Sequence, residues 1–444
     1  MKRFIDTLQN IWKIEELRAR ILTTLGLVLI YRLGSYVVLP GVNSAVLNEA
    51  QESGSQDGII GLINIFAGGA FSRASVFGLG IMPYITASII IQLLGMAVPY
   101  FQKLQRDGES GRKKINQYTR FLTIAVTAVQ CPGYLATQVY NIPGAVVLDG
   151  TWFMIQSTMI LVTGTMFVMW LGERITDKGI GNGISLIIMI GIISRLPFAI
   201  TSEFGSRLQS SGGGLIMFLL EIVFLLFIII GSIMLVQGTR RIPVQFAKKI
   251  VGNKQYGGVR QYIPLKVNAA GVMPIIFAQA IMFIPAAITG FAGNAGGVFT
   301  ERYGFWYNLV FAVLIILFTY FYTAIMVNPN QLADDMKKNG GFIPGVKPGK
   351  KTAEFIDQVM SRITLPGSIF LAAVAILPAI AMQLGINSAF ADFYGGTSLL
   401  ILVGVVLDTL QQIETYLLNR HYDGLMKSGR IKGRGANAMM VQQG

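Results

Sequence analysis

The amino-acid sequence predicts an all-α protein that crosses a membrane many times, and three observations support this. Hydrophobic residues make up 53% of the chain and charged residues only 13%. Several apolar runs reach about 18 residues or more, the length that a helix needs to cross the ~30 Å hydrocarbon core of a bilayer. These runs do not alternate between apolar and polar residues, as the strands of a membrane barrel do, so they are expected to be helices.

Ten membrane-spanning helices are predicted from the apolar runs. The segment before them, 1–20, is charged and amphipathic, and we expect it to lie as a helix on the cytoplasmic membrane surface. Trp152 and Trp170 bracket the fourth span at a spacing that fits the two membrane interfaces. The spans are 21–39, 76–98, 121–140, 153–171, 183–201, 214–237, 269–290, 305–327, 365–384 and 396–418.

Lysine and arginine are sorted between alternate loops. Of the 36 in the chain, 31 lie at the termini or in loops that share one side of the membrane. By the positive-inside rule both termini are cytoplasmic, which agrees with an even number of spans. Ten spans divide into halves of five, 21–205 and 206–418, before a cytoplasmic tail at 419–444. Because five is odd, the second half would be inverted, as in proteins whose functional site lies between inverted repeats.

Two cytoplasmic loops are unusually basic. Loop 238–268 contains no acidic residue, and loop 328–364 is rich in glycine and proline, which predicts a protruding hairpin. Their charge is explained either by the positive-inside rule and contact with anionic lipid, or by docking of a large anionic partner. The candidate docking residues are Arg240, Arg241, Lys248, Lys249, Lys254, Arg260, Lys347, Lys350 and Lys351.

The side chains of an enzyme are not found in the sequence. His421 is the only histidine and Cys131 the only cysteine, so we expect no catalytic, metal or cofactor site. Glu221 and Arg32 lie within predicted spans, where an ionisable residue either serves a function or pairs locally. A channel or a carrier remains.

The segment FAGGAFSRASVFGLG at 66–80 is apolar but too short to span a bilayer by itself. Such a segment is expected to be re-entrant, because irregular backbone is tolerated in a membrane only beside protein or a water-filled cavity. Its small residues favour close packing and disfavour a rigid helix. The segment is therefore predicted to be a short, movable re-entrant helix that stoppers a pore.

Six long motifs follow one another along the chain: NIFAGGAFSRASVFGLGIMPYITASIIIQLL (64–94), ESGRKKINQYTR (109–120), TGTMFVMWLGERITDKGIGNGIS (163–185), PLKVNAAGVMPIIFA (264–278), FIPGVKPGKKT (342–352) and YGGTSLLILVGVVLD (394–408). In this order they resemble the SecY/Sec61-alpha family of protein-translocation channels, and the resemblance extends from about residue 15 to 435. One departure is Lys347, where the family commonly has arginine, which alone of the two side chains can form planar bidentate hydrogen bonds.

This resemblance implies two five-helix halves around an hourglass-shaped pore, with a plug at about 61–74. An apolar ring would close the pore by excluding water, although ordinary core packing is the alternative for each isoleucine. A lateral gate between the second and third helices and the seventh and eighth would carry polar residues that bond across it or serve as static helix contacts. The implied residues are Ile81, Ile85, Ile188, Ile276 and Ile401 in the ring, Phe66, Gly68, Gly69, Ala70 and Arg73 in the plug, and Thr86, Gln92, Gln130 and Asn268 in the gate.

The resemblance further implies the function and the partners. The chain would be the pore-forming subunit of a translocon in the bacterial cytoplasmic membrane. It would move unfolded secretory proteins across the membrane and release membrane helices sideways. Its partners would be SecE- and SecG-like subunits, the SecA motor ATPase, the ribosome, signal sequences, nascent chains, lipids and SecDF- or YidC-like accessory proteins. The alternative is a secondary transporter of a small solute, which would need polar groups near the membrane midplane.

Overall fold

The computed structural model describes residues 12, 14–47, 64, 67–140, 142–147, 150–209, 214–246, 249–251, 254–256, 260–279, 281–282 and 303–427. Helices dominate this part of the chain, as the sequence predicts. Among the described residues before 238, the helices of eight residues or more are α1 Glu15–Gly34, α2 Met82–Ala97, α3 Pro99–Arg106, α4 Gly108–Leu135, α5 Gly150–Lys178, α6 Gly183–Gln209 and α7 Gly214–Gln237. A π-helix at Ala136–Tyr140 extends α4.

The second half of the chain contains five short strands among its described residues, in addition to helices. Residues 273–279 are helical, and the remainder of the predicted span 269–290 lies largely outside the described residues. The strands are β1 Thr239–Phe246, β2 Lys249–Val251, β3 Lys254–Tyr256, β4 Arg260–Lys266 and β5 Gly341–Phe342. The helices are α8 Phe305–Met326, α9 Pro329–Lys338, α10 Lys350–Gln383, α11 Ser388–Ala391 and α12 Gly396–Lys427.

The described residues contain six helices that are long and apolar enough to cross a bilayer, or seven if the bent pair α2–α3 counts as one span. The chain is thus a multi-pass helical membrane protein. The six are α5, α6, α7, α8 with its continuation to Lys338, α10 and α12. The count of ten spans stays a prediction.

Proline sets the geometry of the predicted second span. α2 starts with a proline in its first turn, where the missing N–H leaves no hydrogen bond unmade. Val98 has an extended backbone because Pro99 disfavours helical geometry in the residue before it. The axis of α3 therefore turns by 104° from that of α2. Residues 76–81, which were predicted to begin this span, form turns before the helix instead.

Loop 328–364 differs from the protruding hairpin that its glycines and prolines predict. Most of it is helical, since it contains α9 and the start of α10. Asn328 caps α9 by accepting hydrogen bonds from the backbone N–H groups of Asn330 and Gln331. The turn between β5 and α10 is irregular, and Gly349 precedes α10 with a φ of 96° that favours glycine. α10 starts well before the predicted span at 365, so it extends out of the apolar region at its basic end.

Loop 238–268 folds into a β-hairpin that the sequence analysis did not identify. β1 pairs antiparallel with β4 from Thr239↔Lys266 to Gln245↔Arg260, and β5 pairs with the other edge of β1. The alternation of apolar and polar residues along TRRIPVQF was the available signal. Ile242 and Val244 point inward and pack with Met336, Ile356 and other residues of α9 and α10 in a separate small core.

Two larger apolar clusters lie among the spanning helices. One includes buried residues of α5, α6, α8, α10 and α12 together with Ile81. The other surrounds residues 67–79 with side chains of α4 and α5, among them Cys131, Tyr134 and Phe153. Both clusters are built from residues that are far apart in sequence, so they fix the arrangement of the helices around the segment before α2.

Candidate functional site: an apolar ring beside a tethered segment

Three isoleucines from parts of the chain far apart in sequence belong to the largest apolar cluster of the described residues. Ile81 caps the start of α2, Ile188 lies on α6 and Ile401 lies on α12, and each is at most 5% exposed. Ile85, one turn after Ile81, is half-buried and packs against the same cluster. Ile276 is half-buried, and its neighbour Ile275 is fully buried in the cluster.

This arrangement can form a narrow apolar constriction. The side chains offer no hydrogen-bonding atom to water or to a hydrated ion, and such a constriction opposes conduction by dewetting. They also offer no polar atom that would hold a passing peptide backbone. The chemistry available is therefore exclusion of small polar species without strong binding of a polypeptide.

A polar cavity of about 310 Å³ lies next to these isoleucines. Two of its lining residues, Tyr84 and Ile184, are three and four positions from Ile81 and Ile188, about one helical turn away. Arg120 of α4 and Glu173 of α5 form a two-pronged ion pair in its wall, at 2.7 Å between Nη2 and Oε2 and 3.3 Å between Nε and Oε1. Tyr84 and Ile184 also pack against the apolar cluster, so the cavity borders that cluster on one side.

The predicted plug, 61–74, consists of turns from residue 67 onward. Residues 67–81 form consecutive turns, whereas Phe66 and most of the range 61–66 lie outside the described residues. A helix at 67–74 was predicted wrongly, because Gly68, Gly69 and Ala74 all have positive φ, which α-helical geometry excludes. Gly68 is required for a second reason, since a Cβ there would lie 2.9 Å from the Cα of Gly191 on α6.

Hydrogen bonds tether this segment to the helices around it. The Tyr134 hydroxyl on α4 donates to the Phe71 carbonyl at 2.7 Å. The Arg73 guanidinium folds back to donate to the carbonyls of Gly68 and Gly69 at 3.1 and 3.0 Å. It also lies 4.2 Å from the centroid of the Tyr36 ring, a cation–π contact. Arg73 is thus half-buried against protein.

Backbone pairing and a second arginine complete the attachment. Leu39 N–H donates to the Ala74 carbonyl at 2.9 Å, and Val76 N–H donates to the Val37 carbonyl at 2.8 Å. Arg32 on α1 lies 3.4 Å from the Gly68 carbonyl, so this arginine pairs locally with the tethered segment. Ala70 is fully buried beneath these contacts.

The predicted gate residues make local bonds. The Thr86 hydroxyl donates to the Met82 carbonyl of its own helix, and Asn268 Nδ2 donates to the Gly271 carbonyl. A threonine on a helix commonly satisfies its hydroxyl in this way, four residues back. Asn268 Oδ1 is buried with no hydrogen-bond partner among the described residues. Gln92 and Gln130 are half-buried on α2 and α4.

The two basic loops are connected by one β-sheet, because a strand from each loop pairs with the other. The pairing of β1 with β5 places loop 238–268 against residues 341–342, close in sequence to the basic turn before α10. Arg240, Arg241, Lys347, Lys350 and Lys351 are all exposed. Lys249, Lys254 and Arg260 lie in strands β2, β3 and β4, and Lys248 lies outside the described residues.

The sequence analysis missed several polar residues that the fold brings together. Tyr36 and Tyr134 anchor the tethered segment, and no sequence motif or regular spacing marks either residue. Glu203 and Arg207 form a buried ion cluster with Glu221. An i, i+4 pair of opposite charges at the end of an apolar run was the available signal. Within the described ranges, no group of three His, Cys, Asp or Glu side chains could hold a metal ion.

Comparison with known proteins gives one consistent family. A family model described as SecY matches residues 75–410. The "Protein translocase subunit SecY" of Mycobacterium tuberculosis (strain ATCC 25618 / H37Rv) is 42% identical, and the alignment covers 96% of this chain and 100% of the relative. The protein of the same name from Streptomyces coelicolor is also 42% identical, over 94% and 98% of the two chains.

Solved structures show the same fold at low identity. A structure described as "The structure of a protein conducting channel" superposes with a TM-score of 0.60 at 16% identity, over 90% of this chain and 92% of that one. The Ssh1 complex of yeast, described as bound to the yeast 80S ribosome, gives 0.59 at 14% identity over 89% of each chain. Canine Sec61, described in a ribosome–channel complex, gives 0.56 at 16% identity over 90% and 92%.

Proposed function

The chain belongs to the SecY family, and on that premise we propose that it is the pore-forming subunit of a protein-conducting channel. It moves unfolded secretory polypeptides across the membrane and releases apolar helices sideways into lipid. The observation that carries this proposal is that Ile81, Ile188 and Ile401 are all buried in one apolar cluster, which lies beside a tethered segment. An apolar throat suits a channel that must pass chains of any sequence and exclude ions.

The proposal extends to the whole architecture. Ten helices form two inverted five-helix halves around an hourglass pore, Ile85 and Ile276 complete the ring, and segment 61–74 is the plug. The protein lies in the bacterial cytoplasmic membrane with both termini in the cytoplasm, and the basic sheet docks the ribosome or the SecA motor. SecE- and SecG-like subunits complete the channel. The clear excess of lysine and arginine in the basic loops supports this orientation.

A small-solute transporter is the less favoured alternative. It requires polar or charged coordinating groups near the midplane at broken helices. Glu221 and Arg32 were the sequence candidates for that role. In the structure Glu221 pairs with Arg207, and Arg32 contacts the tethered segment, so both side chains are engaged within the protein.

A cysteine at position 85 tests the channel proposal. With Cys131 changed to serine, Ile85→Cys is expected to form a disulfide with a cysteine in a secretory chain stalled partway across the membrane. The physical reason is contact, since a passing chain must touch every side chain of a narrow ring. The measurement is the adduct on a non-reducing gel, with and without the stalled chain.

The matched control places the cysteine on the lipid-facing side. The side chain of Phe227 on α7 is strongly exposed in the isolated chain. A cysteine introduced there by Phe227→Cys should react with a lipid-soluble reagent but not with the stalled chain. Absence of an adduct at 81, 85, 188, 276 and 401, with a reactive control, would contradict the channel.

Loss of the Arg73 guanidinium should loosen the plug. Arg73→Gln removes two charge-assisted hydrogen bonds and the contact with Tyr36. Bonds to charged groups contribute about 1.5–3 kcal/mol each when buried, and this side chain is only half-buried, so a smaller sum is expected. A cysteine placed at Ser72, which is buried, should then react faster with a water-soluble maleimide.

The control for the plug substitution is Arg174→Gln, which removes an arginine that lies 5.5 Å from the centroid of the Trp170 ring. That change should leave the labelling rate at position 72 as it was. Equal rates in the Arg73→Gln variant and the unaltered protein would show that Arg73 does not hold the segment.

A further inference from the structure

A short backbone pairing joins the tethered segment to the chain that follows α1. Residues 37–39 pair antiparallel with residues 74–76, and Val38 lies opposite Ser75 at the centre of the bridge. Two backbone hydrogen bonds of 2.9 and 2.8 Å flank this central pair. Residues 37–39, named the 37–39 edge below, therefore already bind one segment of chain through main-chain atoms alone.

The 37–39 edge is held in position by contacts that do not involve residues 74–76. Residues 41–43 pair with residues 145–147 through the bridge between Val42 and Val146 and through two backbone bonds of 2.9 and 3.0 Å. The Leu39 side chain is buried among side chains of α4 and α5. The edge is thus preorganised, and these contacts remain in place when its present partner moves away.

The present partner of the edge carries two costs. Ala74 has a φ of 47°, in the left-handed region that strains a residue with a Cβ atom. The Ser75 hydroxyl is fully buried and has no hydrogen-bond partner among the described residues, so its loss of hydration is uncompensated. A different chain with ordinary strand geometry can bind the edge without either cost.

The residue after this pairing limits how much of the tethered segment can move. Phe77 stacks between Tyr31 of α1 and Phe167 of α5, with ring centroids 6.2 and 5.8 Å apart. A Cβ atom at Gly34 of α1 would overlap the Phe77 ring, so this glycine makes room for it. Phe77 therefore stays with the helices, and displacement is confined to the residues before it.

Displacement of residues 74–76 leaves the Val37 carbonyl and the Leu39 N–H without partners. An unpaired edge of this kind accepts any extended chain, because the pairing uses main-chain atoms and not side chains. In the proposed topology α1 ends on the outer side of the membrane, so a polypeptide reaches the edge after it has passed the ring. A chain that passes a narrow ring is extended, as strand addition requires.

The direction of the passing chain also fits the edge. In the proposed topology residues 74–76 lead into α2, which runs back toward the cytoplasm. A secretory chain whose C-terminal part is still inside runs in the same direction at this point. It can therefore pair antiparallel with the 37–39 edge, as residues 74–76 do.

We propose that the 37–39 edge is a binding site for the main chain of the polypeptide in transit, which adds as a strand in place of residues 74–76. This inference rests on the proposed channel function. Two hydrogen bonds hold the chain weakly, and an advance by two residues restores the same pattern of donors and acceptors. While the chain is bound, residues 74–76 cannot return to the edge.

A disulfide test with two stalled chains examines this proposal in the full protein, reconstituted with its partner subunits in bilayers. The protein carries Cys131→Ser and Val38→Cys. One secretory chain has its single cysteine in a valine- and threonine-rich segment on the outer side of the ring. The other has proline at alternate positions of that segment, which removes the N–H groups that pair with an edge.

The yield of the disulfide adduct at position 38 is the measurement. Val38 occupies a non-hydrogen-bonded position of the bridge, where facing side chains are within reach of a disulfide. The chain without proline should give a strong adduct, and the proline chain a several-fold weaker one. Equal yields with the two chains, or no adduct with either, overturn the edge as a binding site.

Position 85 separates this proposal from the channel proposal. Contact with the ring needs no N–H group, so Ile85→Cys should form equal adducts with the two chains. No adduct at position 85 with either chain counts against the channel itself. Adducts at position 85 together with proline-independent yields at position 38 overturn only the strand addition.

The matched control places the cysteine in the neighbouring strand. Val147 is 75% exposed and belongs to residues 145–147, which pair with 41–43 and not with the 37–39 edge. Val147→Cys should give a weak adduct that is the same for both chains. A yield at position 147 that falls with proline as it does at position 38 overturns the proposal, because proline would then act without the edge.

A change in the competing segment tests the exchange directly. Ala74→Gly relieves the strain at positive φ, so residues 74–76 should compete better for the edge. The adduct yield at position 38, relative to that at position 85, is expected to fall by about twofold or more. Ser75→Ala removes the unpaired buried hydroxyl and should act in the same direction. Unchanged relative yields in both variants would show that the passing chain does not replace residues 74–76.

Discussion

Replacing Ile81 with asparagine is expected to make the closed protein conduct ions across a planar bilayer. Ile81 is 4% exposed in the apolar cluster that also contains Ile188 and Ile401. An amide at this point gives water a hydrogen-bonding partner and stabilises a wet constriction, which removes the dewetting barrier. Ile188→Asn should act in the same way from α6. The measurement is the resting current without any secretory chain, compared with that of the unaltered protein.

The same substitution at a buried isoleucine away from the ring is the control. Ile175 on α5 is fully buried in the same cluster. Ile175→Asn carries a similar cost for burying an amide, about 1–3 kcal/mol, so it controls for general destabilisation. Its current should stay at the unaltered level in the folded protein. If Ile81→Asn and Ile188→Asn conduct no more current than the unaltered protein, neither residue belongs to the constriction.

The membrane part of the fold could be predicted because its physics is local. A span needs only length and apolar composition, and α7 and α8 agree with their predicted ranges to within one residue at each end. The ends of the helices could not be predicted as well. α4 and α10 continue through charged residues into water, where hydropathy gives no signal although the helix persists.

The tertiary contacts of the site could not be predicted from the sequence, for a different reason. The bond from the Tyr134 hydroxyl to the Phe71 carbonyl joins residues 63 positions apart, and nothing in either local sequence indicates it. The isoleucines of the predicted ring look like ordinary core residues, and only the family resemblance distinguished them. The turn conformation of 67–81 also depends on packing, since Gly68 lies against α6.

Reversing the charge of Arg240 and Arg241 is expected to weaken binding of the ribosome or the SecA motor. Both side chains are exposed on β1, opposite Leu265 and Pro264 of β4, so Arg240→Glu with Arg241→Glu should change stability little. A patch of one sign raises the association rate of an oppositely charged partner by about 10–10³-fold. We expect a loss of about tenfold or more in affinity at low salt. Equilibrium binding to reconstituted protein, measured across a salt series, tests this.

The salt dependence distinguishes a docking surface from a topology signal. Bound anionic partners release counterions, so the affinity of the unaltered protein should fall steeply with salt while that of the reversed variant falls less. Lys113→Glu with Lys114→Glu makes the same charge change on α4, away from the sheet. A loss as large in this control would assign the effect to net charge alone. Because β1 pairs with β5, the two basic loops lie side by side and can form one docking surface. Charge reversal at Lys350 and Lys351 should therefore weaken the binding of the same partner.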